Sequence, residues 1–238
     1  MFPYDAQLAA TVQAPPQSIP GVLGLLHTID ETCADIDGLK WFNGLYLQVT
    51  QAVADRVAAG GFNDPAWLSE LDVQFAKLYF NALYAALSGA PCPGCWRAMF
   101  SCRNQNKTAR IQFALAGMNA HINHDLCVAI VATCKDRNTA PHHGTAQYND
   151  YTSIDGTLDS LIDVAKQTLN VRLPGDPLPA VSHLENLVAA WDLGAAREAA
   201  WDTAESLWQD SAMAAKIRLD TIDGLTTVIG KALLVPVP

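Results

Sequence analysis

Apolar positions recur every three or four residues along most of the chain, the spacing that lays one stripe down an α-helix. From Val22, the run "VLGLLHTIDETCADIDG" carries Leu23, Leu26 and Ile29 in this way and predicts a helix ending at Gly38. The following run places Phe42, Leu45, Tyr46, Val49, Val53 and Val57 on one stripe, stopped by Gly60 and Gly61, so the two form a helical hairpin. Next comes the best-punctuated helix, with Asn63 or Asp64 as N-cap, Pro65 in the first turn and Gly89 past the end. A short helix is expected from Trp96 to Ser101. Residues 107–135 then make a long, nearly uncharged segment whose alanine content favours helix over strand.

Breaks in the pattern are equally informative. Residues 1–21, rich in Pro and Gln, predict an irregular lead-in draped on a single all-helical domain over 22–238. Residues 136–150 predict a loop, and helix resumes behind Thr152 or Ser153 until "VRLPGDPLP" at 171–179. From 180 onward the pattern is helical again, with His183 near a helix start, Trp191, Trp201 and Trp208 turned inward, and Gly194 as a kink. No Asn-Gly hairpin joins β-branched runs and no alternation persists. The expected fold is an all-α, single-domain, multi-helix bundle with a polar cluster in its core.

Composition narrows the class. Half of the 238 residues are apolar and 16% are charged, enough for a sizeable core. A net charge of −9, without clustered Lys and Arg, argues against nucleic acid and anionic membranes as partners. No window offers about 18 uncharged apolar residues, and no basic-then-apolar leader opens the chain, so a cytoplasmic protein is expected. Most of the six cysteines then read as reduced thiols, with the pairing of Cys92 and Cys95 open. "CPGC" at 92–95 follows a helix rather than a strand and has no second Cys-x-x-Cys at matched spacing, so neither a thioredoxin-type motif nor a zinc ribbon is expected. No Gly-x-Ser-x-Gly elbow, P-loop or Gly-x-Gly-x-x-Gly occurs.

Candidate chemistry concentrates in "GMNAHINHDL", residues 117–126. On a regular helix Asn119 and Asn123 share one edge, and His121 and Asp125 another roughly 200° away, with an apolar strip between them. The remaining faces are apolar, so the helix is expected to be buried nearly all round, and buried polar atoms need partners. One reading is a structural network of hydrogen bonds. Another is a site: His121 as base or metal ligand, Asp125 orienting it or sharing the ion, Asn119 and Asn123 holding helices or substrate oxygens. "HTIDETCADID" adds His27, Asp30 and Glu31 on one helical face, with Asp37 near it if the helix runs that far. Should that face meet the central helix, His27 and Asp30 would complete a His and carboxylate donor set suited to iron, zinc or manganese. Otherwise it is a solvated face. The double histidine of "PHHG" at 141–144 is a secondary feature of the same kind.

The segments "ADIDGLKWFNGLYLQVT", "FNDPAWLSELDVQFAKLYFNAL", "CWRAMF" and "GMNAHINHDL" together resemble a family of uncharacterised bacterial proteins, found especially in actinobacteria, marked by an Asn-Ala-His-Ile-Asn-x-Asp-Leu signature. The resemblance is strongest over about residues 20 to 135. It implies a fold and a place, with motif positions Asp37, Phe42, Tyr46, Thr50, Asp64, Asp72, Phe75, Tyr79, Trp96, Asn119, His121, Asn123 and Asp125; His124 stands at its variable position. Tyr46 with Thr50, and Asp72 with Tyr79, sit one or two turns apart and line one cavity or serve as core aromatics. Three functions stay open: an enzyme acting on a small lipophilic metabolite, metal-dependent or not; a non-catalytic binding protein for such a molecule; and a protein-interaction module whose polar cluster specifies packing.

Overall fold

The computed structural model describes residues 1–170 and 192–236, and the fold is all-α. Among these residues the helices are α1 (Asp5–Val12), α2 (Ile19–Thr32), α3 (Gly38–Ala58), α4 (Pro65–Leu87), α5 (Gly94–Phe100), α6 (Arg110–Ala120), α7 (Leu126–Asp136), α8 (Ala146–Thr152), α9 (Asp155–Asn170), α10 (Leu193–Gln209) and α11 (Ala212–Leu233). No helix among them is long and apolar enough to cross a membrane.

The central rod is α6 and α7, joined without a break by one π-helical turn, His121–Asp125. Every residue from Ile111 to Ile122 is buried. Helices α3, α4, α10 and α11 pack around this rod, α5 lies against α11, and α1 and α2 close the outer side of α3 and α4. Alanine and Gly117 keep the rod thin enough for such close neighbours. A Cβ built on Gly117 would stand 2.3 Å from the Phe42 ring, so only glycine lets α3 approach α6 here. Trp67, Trp96 and Trp201 fill the layers around it with no exposed surface.

Caps fix where the helices begin. Asp64 accepts the Trp67 N–H at the start of α4, as the sequence predicts, with Pro65 in the first turn. The remaining differences from the sequence reading have local causes. Residues 1–21 are not irregular: α1 buries Leu8 and Val12, a two-point stripe too short to stand out as a period. Ser18 starts α2 by accepting the Gly21 N–H, and α2 ends at Thr32 rather than Gly38. Asp37 instead caps α3 by accepting the Leu39 N–H, so Gly38 opens a helix. Thr145 caps α8 inside the expected loop. Gly194, second residue of α10, kinks nothing. The break at 171–179, His183 and Trp191 lie outside the described residues.

Candidate functional site

The π-turn widens the helix by one residue and lets two histidines reach one carboxylate. Asp125 Oδ2 stands 3.1 Å from His121 Nδ1, and Asp125 Oδ1 stands 2.7 Å from His124 Nδ1. The Trp96 indole N–H donates a third bond to Oδ2 at 2.8 Å. Burial alone would raise the pKa of this carboxyl, but the bonds from His121 and His124 outweigh it and hold the pKa below the usual carboxylate range. An ionised carboxylate only accepts, so His121 Nδ1 carries the proton and Nε2 keeps its lone pair. Burial lowers the His121 pKa against the opposing pull of Asp125, which favours this neutral tautomer. His124 is raised: its bond to Asp125 overcomes the burial that disfavours its charge.

Aromatic rings fix the His121 imidazole. Phe75 stacks flat on it at 3.4 Å between centroids, and Tyr46 meets it edge-on at 4.7 Å. Phe42 and Trp96 enclose it further. Its Nε2 is buried and has no hydrogen-bond partner.

His121 also forms part of the wall of a cavity of about 80 Å³, bounded by α3, α4, the π-turn and its flanks, α8, α9 and α10. The lining is nearly all aliphatic and aromatic, including Leu45, Val49, Leu71, Met118 and Ile122. Asp72, from α4, is an exception, as are His121 and Arg197. Burial pushes the Asp72 carboxyl up to about 7, and its Oδ2 has no partner. The Tyr46 hydroxyl, on the same wall, is likewise buried and unpaired; burial and then the nearby Asp72 charge raise its pKa. Thr50, one turn on, is fully buried behind Tyr46, whose hydroxyl its own side chain influences, and does not line the cavity. Arg197 of α10 completes the lining, held by Asp155 and the Tyr151 carbonyl. An unsatisfied buried polar group costs about 1–3 kcal/mol, so several at one cavity require an explanation beyond packing.

The other sequence candidates divide. Asn119 donates to the Thr226 carbonyl at 2.9 Å and accepts from Asn123 at 3.0 Å, so the asparagines pin α11 to the rod rather than hold substrate. Tyr79 belongs to the aromatic layer, its hydroxyl 3.4 Å from Asn43 Oδ1, and does not line the cavity. His27 is exposed on α2, which packs on α1, α3 and α4, and Asp30 lies beside Gly44; neither reaches the central cluster. The four-residue metal set His121, Asp125, His27 and Asp30 is therefore not assembled, because α2 packs on α1, α3 and α4 rather than on the π-turn. Among the described residues, three donor atoms lie within 4.8 Å of one another in Cys95, His124 and Asp223, and in the exposed His143, Glu198 and Asp202; His121 belongs to neither group. Cys92 and Cys95 are free thiols. Asp72 and Arg197 are the functional candidates the sequence did not single out as site residues, although Asp72 stood among the motif positions.

A family model described as a family of unknown function, DUF5995, matches residues 19–236. The chain belongs to the DUF5995 family. No curated protein and no solved structure matches it. Within this DUF5995 chain, Phe42, Tyr46, Phe75, Trp96 and Asp125, scattered over 84 residues of sequence, meet around the His121 imidazole, and Asp72 shares the cavity wall with it.

Proposed function

We propose that this DUF5995 protein is an enzyme performing general acid/base chemistry on a small lipophilic metabolite. His121 Nε2 is the base, Asp125 fixes its tautomer and orientation, and Asp72 is the proton-carrying partner. The observation that carries this reading is the concentration of unpaired buried polar atoms, His121 Nε2, Asp72 Oδ2 and the Tyr46 hydroxyl, at one otherwise apolar cavity. A substrate oxygen or acidic C–H placed there supplies the missing partner. The Asp125–His121 pair is the orienting half of a catalytic triad, applied here to a substrate proton instead of a nucleophile. An Asp with a pKa of about 7 is matched to donate and accept near neutrality. The cavity is about half the 150 Å³ that accommodates benzene, so a metabolite enters by its reacting end or displaces lining side chains.

A second reading, a non-catalytic carrier for a hydrophobic molecule, is favoured by the aliphatic lining. Small ketones and esters no larger than cyclohexanone separate the two. Binding is read as a rise in melting temperature, and catalysis as exchange of α-hydrogens with deuterated solvent. On the enzyme reading, wild type accelerates exchange and His121→Gln slows it by about 10²- to 10⁴-fold. The wild-type rate falls as pH rises through about 7, where Asp72 loses its proton, and Asp72→Asn flattens that limb. Tyr46, His121, Tyr151 and Arg197 share the cavity with Asp72, so the flattening identifies which group is titrating. Equal thermal shifts in wild type and His121→Gln, without exchange in either, would leave the carrier and sink the enzyme.

A further inference from the structure

A second group of ligand-type side chains lies behind the base, on the far side of Asp125 from His121. Cys95 is buried at the second position of α5, His124 is on the π-turn, and Asp223 is in the middle of α11. One donor atom from each lies within 4.8 Å of the other two. The π-turn, the "CPGC" loop and the C-terminal helix thus deliver a thiol, an imidazole and a carboxylate to one point from three separate parts of the chain. Nothing in the sequence spacing announces it, since Cys95 and Asp223 are 128 residues apart.

Each of the three is already oriented. The Gly94 and Cys95 N–H groups donate to Asp223 at 2.8 and 2.9 Å, one to each oxygen, and each oxygen retains a second lone pair. Gly94 makes this approach possible, because a Cβ there would stand 2.6 Å from Thr227 Oγ1 and 3.1 Å from Asp223 Oδ2. His124 gives its Nδ1 to Asp125 at 2.7 Å, so a metal would take Nε2, in exchange for any proton that nitrogen carries. A histidine held through one nitrogen by a carboxylate, with the other presented to a metal, is the usual outer support of a metal ligand. His124 and Asp223 are half-buried, so water reaches the site and can fill a fourth position.

We propose that Cys95, His124 and Asp223 form a binding site for a divalent transition-metal ion of the zinc type. Sulfur, nitrogen and oxygen donors together suit zinc or cobalt better than calcium or magnesium, which take oxygen ligands. Three protein ligands with room for water give a four-coordinate centre. On binding, Cys95 transfers its thiol proton to solvent as the sulfur–metal bond forms, with no change of oxidation state. The ion clamps α5, the π-turn and α11 together. Through His124 it also fixes Asp125, and so the orientation of His121. This site is separate from the acid/base reading, which needs no metal.

The test is titration of the reduced, chelator-treated full chain with cobalt(II), read by absorption, followed by zinc competition and elemental analysis. One equivalent per chain is expected, with a sulfur-to-cobalt charge-transfer band and the visible bands of a tetrahedral ion. Zinc should displace cobalt and raise the melting temperature. Cys95→Ser should abolish the charge-transfer band and weaken zinc binding by more than the roughly 10- to 100-fold that loss of an outer partner costs. His143→Ala, at the exposed acidic group, should leave both unchanged. Binding without the thiolate band in wild type, binding unaltered in Cys95→Ser, or no stoichiometric binding in wild type each overturns the proposal, and the first and last need no variant to fold.

Discussion

Asp72 places an ionisable carboxyl against aliphatic side chains with one oxygen unpaired, and the fold is less stable for it. Its folded pKa is about 7 against an ordinary value of 3.8, so between these values the folded state binds a proton that the unfolded state has lost. Stability from this group is therefore full below about pH 4 and declines as pH rises toward 7, by at most about 4 kcal/mol. Asp72→Asn removes the charge and keeps the shape. Its stability should match wild type near pH 4 and exceed it at pH 8 by a few kcal/mol, measured by urea unfolding across that range. A variant less stable than wild type at pH 8 contradicts the burial argument. The His121–Asp125 pair was legible in the sequence, because four-residue spacing stacks side chains on a helix. Asp72 was legible only as a motif residue on a possible cavity wall; its unpaired carboxyl was not, because that depends on α3 and α4 facing the π-turn, and periodicity says nothing about which helices face.

Elements record the same division. Apolar stripes, Asp64 with Pro65, and the paired glycines marked α3 and α4 in advance. The π-turn left no mark, since "HINHD" has the same composition as a helical turn, and the extra residue shows only in the bond from Leu126 N–H back to His121. The wheel nonetheless paired the right residues, as both His121 with Asp125 and Asn119 with Asn123 are bonded. Of the two roles the sequence left open for the asparagines, holding helices or substrate oxygens, the bonds display the first, and a wheel could not choose because it shows faces without neighbours, here α11. Gly117 shows how tightly such neighbours are set. Alanine is the better helix former by about 1 kcal/mol, yet its Cβ would fall 2.3 Å from the Phe42 ring. Phe42 is packed against Tyr79, Trp96 and His121, and any retreat would carry it into the cavity it lines and disturb that aromatic layer. Gly117→Ala should therefore destabilise by about 1–3 kcal/mol in denaturant unfolding and weaken ligand-induced stabilisation in the same protein. A neutral or stabilising result means that α3 and α6 can separate at little cost.

At the scale of the molecule, an all-α bundle followed from periodicity and composition alone, while the joining of its N-terminal helix did not. Residues 1–18 lie outside the family match, yet α1 buries Leu8 and Val12 and brings Tyr4 and Asp5 to an ionic centre. There Asp37, with no exposed surface, takes Arg103 Nη2 at 2.6 Å and Arg103 Nε at 2.9 Å, together with the Tyr4 hydroxyl at 3.1 Å. Arg103 Nη2 also reaches Asp5 at 2.8 Å. This one centre ties α1, the start of α3 and the segment after α5, and so holds the wall that carries Phe42 and Tyr46. Removing one member of a buried pair strands the other charge, at about 3–5 kcal/mol, whereas replacing both by neutral groups costs far less. Arg103→Met should accordingly destabilise by that amount, and Asp37→Asn by a comparable one through loss of the α3 cap and of its partners. The double variant should recover a large part of the summed loss, measured as a coupling energy in a double-mutant cycle. Additive losses would mean that the two charges are independently solvated, and the N-terminal helix would then be held by Leu8 and Val12 alone.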